Sequence, residues 1–343
     1  MSSSVKGIIC RVLTAASLIY LIILFTWLGF NIFTGDRFVI IALIGFLAVY
    51  LFFPLLFVLL TAIACKNRWL GVGFLVGALA FFWLWGAQFI PRTPRNPGDE
   101  PTLTVMTYNV LAWHNHIEPI LDTIQAENPD VVFLQELNTD LAKVLEQDLI
   151  QTYPYQELVP ADNPTGIGVI SKYPIRSTGE DLPHRWYGGP QVLQLEWNDE
   201  LILIVNFHMI STTGVFPLDQ AERSFRLREQ QAGLLVDLAR RSDSVIMTGD
   251  ANTSPTSEAY QIITSELTDA FRQAGFGLGH TFPGSDIPES DRPYIGDWYV
   301  PRWLARIDYV FYSGDWAAIS ARTAKIDGVS DHRGVVAELI QNK

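Results

Sequence analysis

Three uncharged apolar runs near the start of the 343-residue sequence limit what this chain can fold into. They cover residues 12–33, 38–65 and 69–90. A helix that rises about 1.5 Å per residue needs roughly 20 apolar residues to cross a bilayer core of about 30 Å. The sequence therefore predicts three transmembrane helices, and residues 1–90 together predict a membrane anchor in contact with a lipid bilayer.

Two other interpretations of these runs are weaker. A cleavable signal peptide would explain only the first run, which is longer than a signal-peptide core and is followed by two more. Buried core helices of a soluble protein would rarely form three such long runs separated by charged residues.

The distribution of Lys and Arg predicts the orientation of the anchor. Four basic residues flank the start of the first run or lie in the second loop: Lys6, Arg11, Lys66 and Arg68. The first loop has only Arg37. This asymmetry favours a cytoplasmic N-terminus, so that three crossings place the rest of the chain outside the cell membrane. Arg92 and Arg95 on the outer flank oppose this signal.

Acidic residues are concentrated after the apolar part. The chain has 24 Lys and Arg and 36 Asp and Glu, and the first 100 residues hold only seven and three of them, which leaves a net charge of −16 for residues 101–343. Residues 91–101 contain four prolines and predict a stiff linker. Residues 102–343 form one further domain without cysteine, because Cys10 and Cys65 both lie in the anchor.

The second part of the chain alternates apolar strands with amphipathic helices. A helix is predicted around Ile117–Ile124 and a longer one over Asp219–Arg241. Strands are predicted at Leu103–Val110, Val131–Glu136, Gly168–Ser171, Val192–Trp197, Leu201–His208, Val245–Asp250, Ile307–Tyr312 and Gly334–Ile340. The order predicts a mixed α/β layered domain with both parallel and antiparallel pairs.

Polar side chains lie at the ends of five of these apolar runs, after four of them and before the last. They are Asn109, Glu136, His208, the pair Asp250 and Asn252, and Asp331 with His332. Taken singly, each has a simpler explanation: Asn109 as a turn cap, Glu136 as an ion-pair partner, His208 as a hydrogen-bonded core histidine. Together they predict a cation site with acidic and basic groups, because buried carboxylates without partners are costly.

Seven segments occur in an order that resembles the endonuclease/exonuclease/phosphatase superfamily, which includes DNase I, neutral sphingomyelinases and inositol-polyphosphate 5-phosphatases. They are Met106–Asn109, Leu134–Leu137, Gly166–Ile175, Asn206–His208, Gly249–Pro255, Arg306–Phe311 and Ser330–His332. The resemblance covers about residues 102–341. It implies a four-layered α/β/β/α sandwich of two mixed sheets and hydrolysis of phosphoester bonds, and it says little about the substrate.

The resemblance also implies a metal site. Glu136 would be the principal ligand of Mg²⁺ or Mn²⁺, with Asn109 beside it and Asp331 completing the acidic cluster. Some DNA-repair members have an acidic residue two positions after the asparagine, where this chain has Leu111. The difference favours the DNase, sphingomyelinase and phosphatase branches.

Five further residues would carry the chemistry. Asp250 would orient or deprotonate the attacking water, and Asn252 would donate hydrogen bonds to the phosphoryl oxygens. His208 and His332 would stabilise negative charge in the transition state, and Asp308 would hold the His332 ring.

The substrate is less well predicted. The acidic domain is a poor general binder of nucleic acid. A basic helix face is present at Arg223, Arg226, Arg228, Arg240 and Arg241, and the simpler explanation is a solvated face paired with Glu222 and Glu229. The anchor instead suggests a phosphorylated substrate at the membrane surface.

Aromatic residues at Trp298, Tyr299 and Trp303, with Tyr294, are candidate lipid-contacting or substrate-binding residues, and loop packing explains them equally well. Trp186 and Tyr187 form a weaker candidate of the same kind.

Three functions remain open. The first is a membrane-anchored phosphoesterase acting on a lipid-linked or small phosphoester. The second is a surface nuclease, and the third is an inactive binding or scaffold protein. Every mapped catalytic position is filled, which disfavours the third. The sequence leaves the oligomeric state open.

Overall fold

The architecture of a computed structural model places an apolar helical region before two stacked sheets. The structure describes residues 3–91, 97–98, 100–113, 115–183, 185–212, 217–284, 294–295, 298–325 and 328–342. The helices are α1 Ser3–Thr34, α2 Val39–Phe46, α3 Leu55–Ala64, α4 Arg68–Trp85, α5 Glu118–Glu127, α6 Thr139–Asp148, α7 Leu218–Ala239, α8 Glu258–Thr264 and α9 Ala270–Ala274. The strands are β1 Thr102–Asn109, β2 Val131–Gln135, β3 Tyr155–Val159, β4 Ile167–Ser171, β5 Ile175–Ser177, β6 Gln191–Trp197, β7 Glu200–His208, β8 Val245–Asp250, β9 Thr268–Asp269, β10 Tyr294–Ile295, β11 Trp298–Tyr299, β12 Asp308–Tyr312, β13 Trp316–Thr323 and β14 Val335–Gln341.

Two six-stranded mixed sheets form the second part of the chain. Their strand orders are β13-β14-β1-β2-β4-β3 and β5-β6-β7-β8-β12-β9, and β10 pairs with β11 in a separate hairpin. One pair in each sheet is parallel, β1 with β2 and β7 with β8, and both are central. The α/β sandwich predicted from the sequence is confirmed, and all eight predicted strands are present.

Alternation along the strands explains the layers. In β1, Leu103 and Val105 face the second sheet, whereas Met106 and Tyr108 face helices α5 and α6. On the outer side of the second sheet, α7 and α8 pack against apolar residues of β7 and β8 such as Phe207. The result is four layers, helix, sheet, sheet and helix, with a dry core between the sheets.

A polar bridge fixes the position of one sheet relative to the other. The Gln135 amide on β2 donates to Asn206 on β7 at 2.6 Å. The Asn206 amide in turn donates to the carbonyl groups of Leu134 and Gly168. All of these groups are buried, so that the bridge satisfies polar atoms that would otherwise be unpaired between the sheets.

The apolar segments form a helical bundle. By length and composition, α1 with the turn that follows it and α4 with its own following turn are long enough to cross a membrane. The segment predicted at 38–65 is bent by 80° where α2 meets the 3₁₀ turn Ala48–Phe52 and α3, so that it counts as a third span if the bent pair is one span. Cys10 and Cys65 form a disulfide at the end of the bundle where α1 begins and α3 ends. The linker prediction falls on residues 92–96 and 99, which lie outside the described residues.

Candidate active site

Strand register places three predicted residues in a row at one end of the second sheet. His208 is the Cα partner of Asp250 across β7 and β8, and Asp250 is the partner of Asp308 across β8 and β12. Gly249 allows this close pairing, because a Cβ atom there would collide with the Phe207 carbonyl oxygen. The row is almost completely buried.

The first sheet contributes the facing residues. The Asn109 amide donates to Glu136 at 3.0 Å and, across the gap between sheets, to Asp250 at 3.2 Å. The backbone N–H of Leu111 donates to the Asn109 side-chain oxygen, and that of Ala112 donates to Glu136. These two backbone N–H groups of the loop after β1 orient the Asn109 and Glu136 side chains.

Two of the site residues have left-handed backbone conformations. Glu136 has φ of 58° and Asn252 has φ of 49°. Such conformations cost about 1–3 kcal/mol for residues with a side chain and concentrate at functional sites. The folded sheets therefore hold these two residues in place against a local preference.

The loop before the last strand completes the cluster. The His332 ring lies with Nδ1 2.9 Å from Asp308 and Nε2 3.8 Å from Asp250. Asp331 is 4.0 Å from the same Nε2. The hydroxyl of Ser330 donates to the Asn109 carbonyl at 2.7 Å, and this bond ties the loop to the first sheet. All eight predicted catalytic and metal-binding residues are thus brought together around one space.

Charges in this buried space shift the pKa values of both histidines. Burial disfavours the His208 imidazolium, but the hydrogen bond and charge of Asp250 more than compensate, so that the pKa of His208 is raised. Burial acts in the same direction on His332, and the charges of Asp308 and Asp250 outweigh it, which raises the pKa of His332 well above its ordinary value. The two aspartates therefore favour the imidazolium form of His332.

The pKa values of the two buried aspartates shift in opposite directions. Burial alone would raise the pKa of Asp250, but the charge of His332 and the hydrogen bond from His208 lower it. Burial dominates at Asp308 and raises its pKa despite His332. Asp250 therefore remains ionised, next to two histidines and to the Asn252 backbone N–H, which donates to it at 2.8 Å.

Two adjacent sets of side chains are suited to a divalent cation. Glu136, Asn109 and Asp331 are the set predicted from the sequence, and oxygen donors of this kind suit a hard cation. The buried group Asp250, Asp308 and His332 offers ligand atoms within 4.8 Å of one another and can also hold an ion.

The cavity over the cluster has a volume of about 720 Å³. Glu136, His208, Asp250, Asn252 and His332 are among its lining residues. Among the described residues that line it there is no Lys or Arg. A cavity with several carboxylates and no side-chain cation of that kind fits a bound metal ion.

The aromatic candidates differ in exposure and packing. Tyr299 is 63% exposed, next to Val300 of the cavity wall. Trp303 is half-buried over Gly284, with the Arg333 guanidinium 5.0 Å from its ring, which agrees with loop packing. The side chain of Trp298 and that of Tyr294 lie outside the described residues.

Tyr187 and Trp113 line the cavity, but the sequence marked Tyr187 only as a weak candidate and did not mark Trp113. Tyr187 lies with its ring 4.9 Å from the His208 ring and its hydroxyl 3.1 Å from Ser211, whereas its neighbour Trp186 is a core residue. Trp113 lines the cavity and is 47% exposed.

Arg228 corrects the interpretation of the basic helix face. Arg223 and Arg226 are exposed and paired along α7, as expected. Arg228 is buried, donates to the Ile210 carbonyl at 2.9 Å, and packs on the Phe225 ring. Its helical spacing from Phe225 was the available signal, since residues three apart share a face. Burial lowers the pKa of Arg228 to about 10, so that it is still charged at neutral pH.

Two mixed sheets between helix layers, with an acid, amide and imidazole cluster at the ends of their central strands, define the DNase I-like class of folds. The chain belongs to the endonuclease/exonuclease/phosphatase family, whose sequence profile matches residues 106–332. Enzymes of this family are typically phosphoester hydrolases and generally depend on a divalent metal.

Solved structures support the same fold. TDP2 from D. rerio, complexed with a single-strand DNA product, is 16% identical with a TM-score of 0.55, over 70% of this chain and 99% of that one. Sphingomyelinase C from Streptomyces griseocarneus is 20% identical with a TM-score of 0.51, over 69% and 99%. A family protein from Bacteroides thetaiotaomicron is 17% identical with a TM-score of 0.51, over 71% and 100%. No curated protein matches the chain significantly.

Proposed function

We propose that the chain is a membrane-anchored, Mg²⁺-dependent phosphoric ester hydrolase that acts on a lipid-linked or small phosphorylated substrate outside the membrane. The observation that carries the proposal is one connected cluster of Glu136, Asn109, Asp250 and the Asp308–His332 pair, of which Glu136, Asp250 and His332 line the cavity. Family membership supports the reaction class.

The residues have distinct tasks in this proposal. Glu136, Asn109 and Asp331 would hold the cation, which supplies charge neutralisation at the phosphoryl oxygens when it is bound. Asp250, kept ionised by its histidine neighbours, accepts the proton of the attacking water. Asn252 donates hydrogen bonds to the phosphoryl group.

The histidines act on negative charge. Asp308 and Asp250 raise the pKa of His332 and so favour its imidazolium form, which stabilises charge on the phosphorus centre or leaving oxygen. His208 lies on the other side of Asp250, at 3.4 Å, and serves the same end.

A nuclease is the second candidate, supported by the fold of TDP2, whose structure contains a DNA product. Nucleic acid is not favoured as the partner of this chain, because proteins that bind it neutralise phosphates with Lys and Arg. The described lining of the cavity lacks both, and residues 101–343 carry a net charge of −16.

The test uses the full chain in lipid nanodiscs with Mg²⁺. Phosphate or nucleotide release is measured on a polyprenyl pyrophosphate, a phospholipid set, and plasmid DNA. We expect hydrolysis of at least one lipid substrate and its loss in Glu136→Gln, with Glu146→Gln on the exposed side of α6 as the matched control. Cleavage of DNA alone would refute the lipid assignment, and full activity of Glu136→Gln would refute the site.

A cell-membrane location with the catalytic domain outside is part of the proposal. The excess of Lys and Arg at the N-terminus and second loop supports it. A protease-sensitive tag after residue 343 should be removed in intact cells, and protection of the tag until the cells are broken would contradict this orientation.

A further inference from the structure

The bend in the second apolar segment brings part of the anchor onto the catalytic domain. Helix α2 ends at Phe46, and the chain turns by 80° before it continues as Ala48–Ala64. The Gly45 carbonyl at the bend accepts hydrogen bonds from Thr256 at 2.7 Å and from Ser254 at 3.3 Å. Both donors follow the catalytic strand β8, so that α2 lies across the face that carries the active site.

Other apolar segments are fixed to the same face. The Asn31 amide of α1 donates to the Thr256 carbonyl at 3.2 Å, and Tyr50 donates to the Leu304 carbonyl at 3.1 Å. After α4, the Gln88 carbonyl accepts from the Gly277 N–H at 2.7 Å. These contacts come from three separate segments, so the anchor is docked on the domain and does more than tether it.

The docked segment closes one side of the active-site cavity. Leu43, Phe46 and Leu47 line the same cavity of about 720 Å³ as Glu136 and His332. Apolar residues of the catalytic domain extend this surface: Phe225, Pro283, Val300 and Leu304. The cavity therefore combines a polar cluster suited to a phosphoryl group with an apolar wall that hydrolysis of a small phosphoester does not require.

The wall continues to the outer surface of the bundle. Leu47 lines the cavity and is also 42% exposed, and its neighbours Ile44 and Ile40 are exposed on the outward side of α2. Leu47 therefore joins the cavity to the exposed apolar side of α2.

We propose that Leu43, Phe46 and Leu47 of the anchor form the binding wall for the hydrocarbon chain of an amphiphilic phosphorylated ligand that enters from the bilayer. The proposal rests on the function given above for its phosphoryl end and adds the apolar end. It commits to one occupant, a lipid phosphate with a single hydrocarbon chain from the same membrane. The anchor is then part of the specificity site.

Two phosphonates that resist hydrolysis test the proposal by binding alone. Hexadecylphosphonate and butylphosphonate share a headgroup and differ in chain length. They are titrated with Mg²⁺ into the full chain in nanodiscs. We expect hexadecylphosphonate to bind the natural chain at least about tenfold more tightly, since each buried methylene adds to transfer from water. Partition into the nanodisc is common to every variant, so the comparison between variants isolates the wall.

Leu43→Gln and Leu47→Gln place a polar group in the wall, and Leu60→Gln on the exposed side of α3, away from the cavity lining, is the matched control. The wall variants should lose about tenfold in hexadecylphosphonate binding and keep butylphosphonate binding, whereas the control should keep both. Unchanged chain-length preference in the folded wall variants would overturn the proposal, as would an equal loss of both ligands.

A labelling experiment on the natural chain covers variants that fail to fold. Hexadecylphosphonate with a photoreactive diazirine on its chain should label Leu43 or Leu47, and excess unlabelled hexadecylphosphonate should remove this labelling. Labelling of α2 that the competitor does not reduce would overturn the proposal. Binding that depends on chain length, without hydrolysis of any lipid, would refute the proposed reaction and support the binding wall. Hydrolysis of a lipid without dependence on chain length would support the reaction and refute the wall.

Discussion

Replacing Asp308 with asparagine tests how the cluster divides between catalysis and metal binding. Asp308 is completely buried, and its carboxylate oxygens lie 2.9 and 3.2 Å from His332 Nδ1. An asparagine keeps the size of the side chain and one acceptor, but it removes the negative charge and allows the wrong tautomer of the ring. Because solvent does not screen this buried pair, removing the Asp308 charge removes its full electrostatic stabilisation of the His332 imidazolium.

The expected magnitude follows from the role of the pair. A carboxylate that orients a catalytic imidazole is worth about 10²–10⁴ in kcat, or roughly 3–5 kcal/mol in activation free energy. We expect a fall of that size for Asp308→Asn, with KM within about twofold of the natural value. Asp122→Asn, an exposed change on α5, is the matched control and should have full activity.

The pH dependence provides a second readout. The charge of Asp308 is the largest contribution that raises the pKa of His332. Without it, His332 loses its proton at lower pH, so that the alkaline limb of the kcat profile should shift to lower pH in Asp308→Asn. The profile of Asp122→Asn should match that of the natural chain.

A metal titration separates this role from the alternative, in which Asp250, Asp308 and His332 hold the ion. If Asp308 only orients His332, a large excess of Mg²⁺ leaves the activity of Asp308→Asn low, and the Mg²⁺ concentration for half-activation is unchanged. Recovery of kcat at high Mg²⁺ would refute the reasoning and make Asp308 a ligand. Melting temperatures of both variants establish that the comparison is between folded proteins.

Three further predictions concern the bridge between the sheets, the pH dependence of stability, and the disulfide. Asn206→Ala removes the bridge between the sheets: the Gln135 amide loses its shorter hydrogen bond and keeps the one to the Phe133 carbonyl, and two carbonyl groups lose the Asn206 donor. Chemical unfolding should show a loss of about 1–3 kcal/mol in the free energy of unfolding, and a loss under about 0.5 kcal/mol would contradict the bridge. Burial lowers the pKa of His280 below 6.5, so the unfolded state binds a proton at this residue more readily than the folded state does. The melting temperature should therefore fall as pH drops below about 6.5, and His280→Gln should weaken this fall. An identical pH dependence in His280→Gln would contradict this role of His280. Cys10 and Cys65 are paired in the structure, so thiol-reactive reagents should label the unfolded chain only after reduction, and labelling of unreduced protein would show free thiols.

The sequence predicted the content of the active site because most of its side chains lie at an end of an apolar run, and the ends of buried strands meet at the edges of sheets. It could not predict the register. Asp250 faces Asp308 only because β8 and β12 pair antiparallel at that residue, and this depends on contacts between distant segments. Strand β13 was missed because a bulge between Ala318 and Ser320 interrupts its alternation.

The bend at Leu47 could not be predicted from the sequence, for a related reason. Hydropathy records that residues 38–65 are apolar, and it is insensitive to direction. The groups that accompany the bend belong to the other part of the chain: Thr256 and Ser254, which donate to the Gly45 carbonyl, are 211 and 209 residues away from it in sequence. An apolar run can therefore be recognised from local composition, whereas its path depends on what it packs against.

The orientation of the anchor brings two independent signals into conflict. Helices α1, α3 and α4 pass in turn between the disulfide end and the end that contacts the catalytic domain, so the N-terminus and the catalytic domain are at opposite ends of the bundle. The distribution of Lys and Arg predicts that the disulfide end lies in the cytoplasm, where thiols are normally kept reduced. A stable Cys10–Cys65 disulfide in cells would favour the inverted orientation and a cytoplasmic catalytic domain. A reduced pair would remove the conflict and leave the outside placement supported by the charges alone. The substrate would in either case come from the leaflet next to α2, because the wall at Leu43 and Leu47 belongs to the same end of the bundle as the catalytic domain.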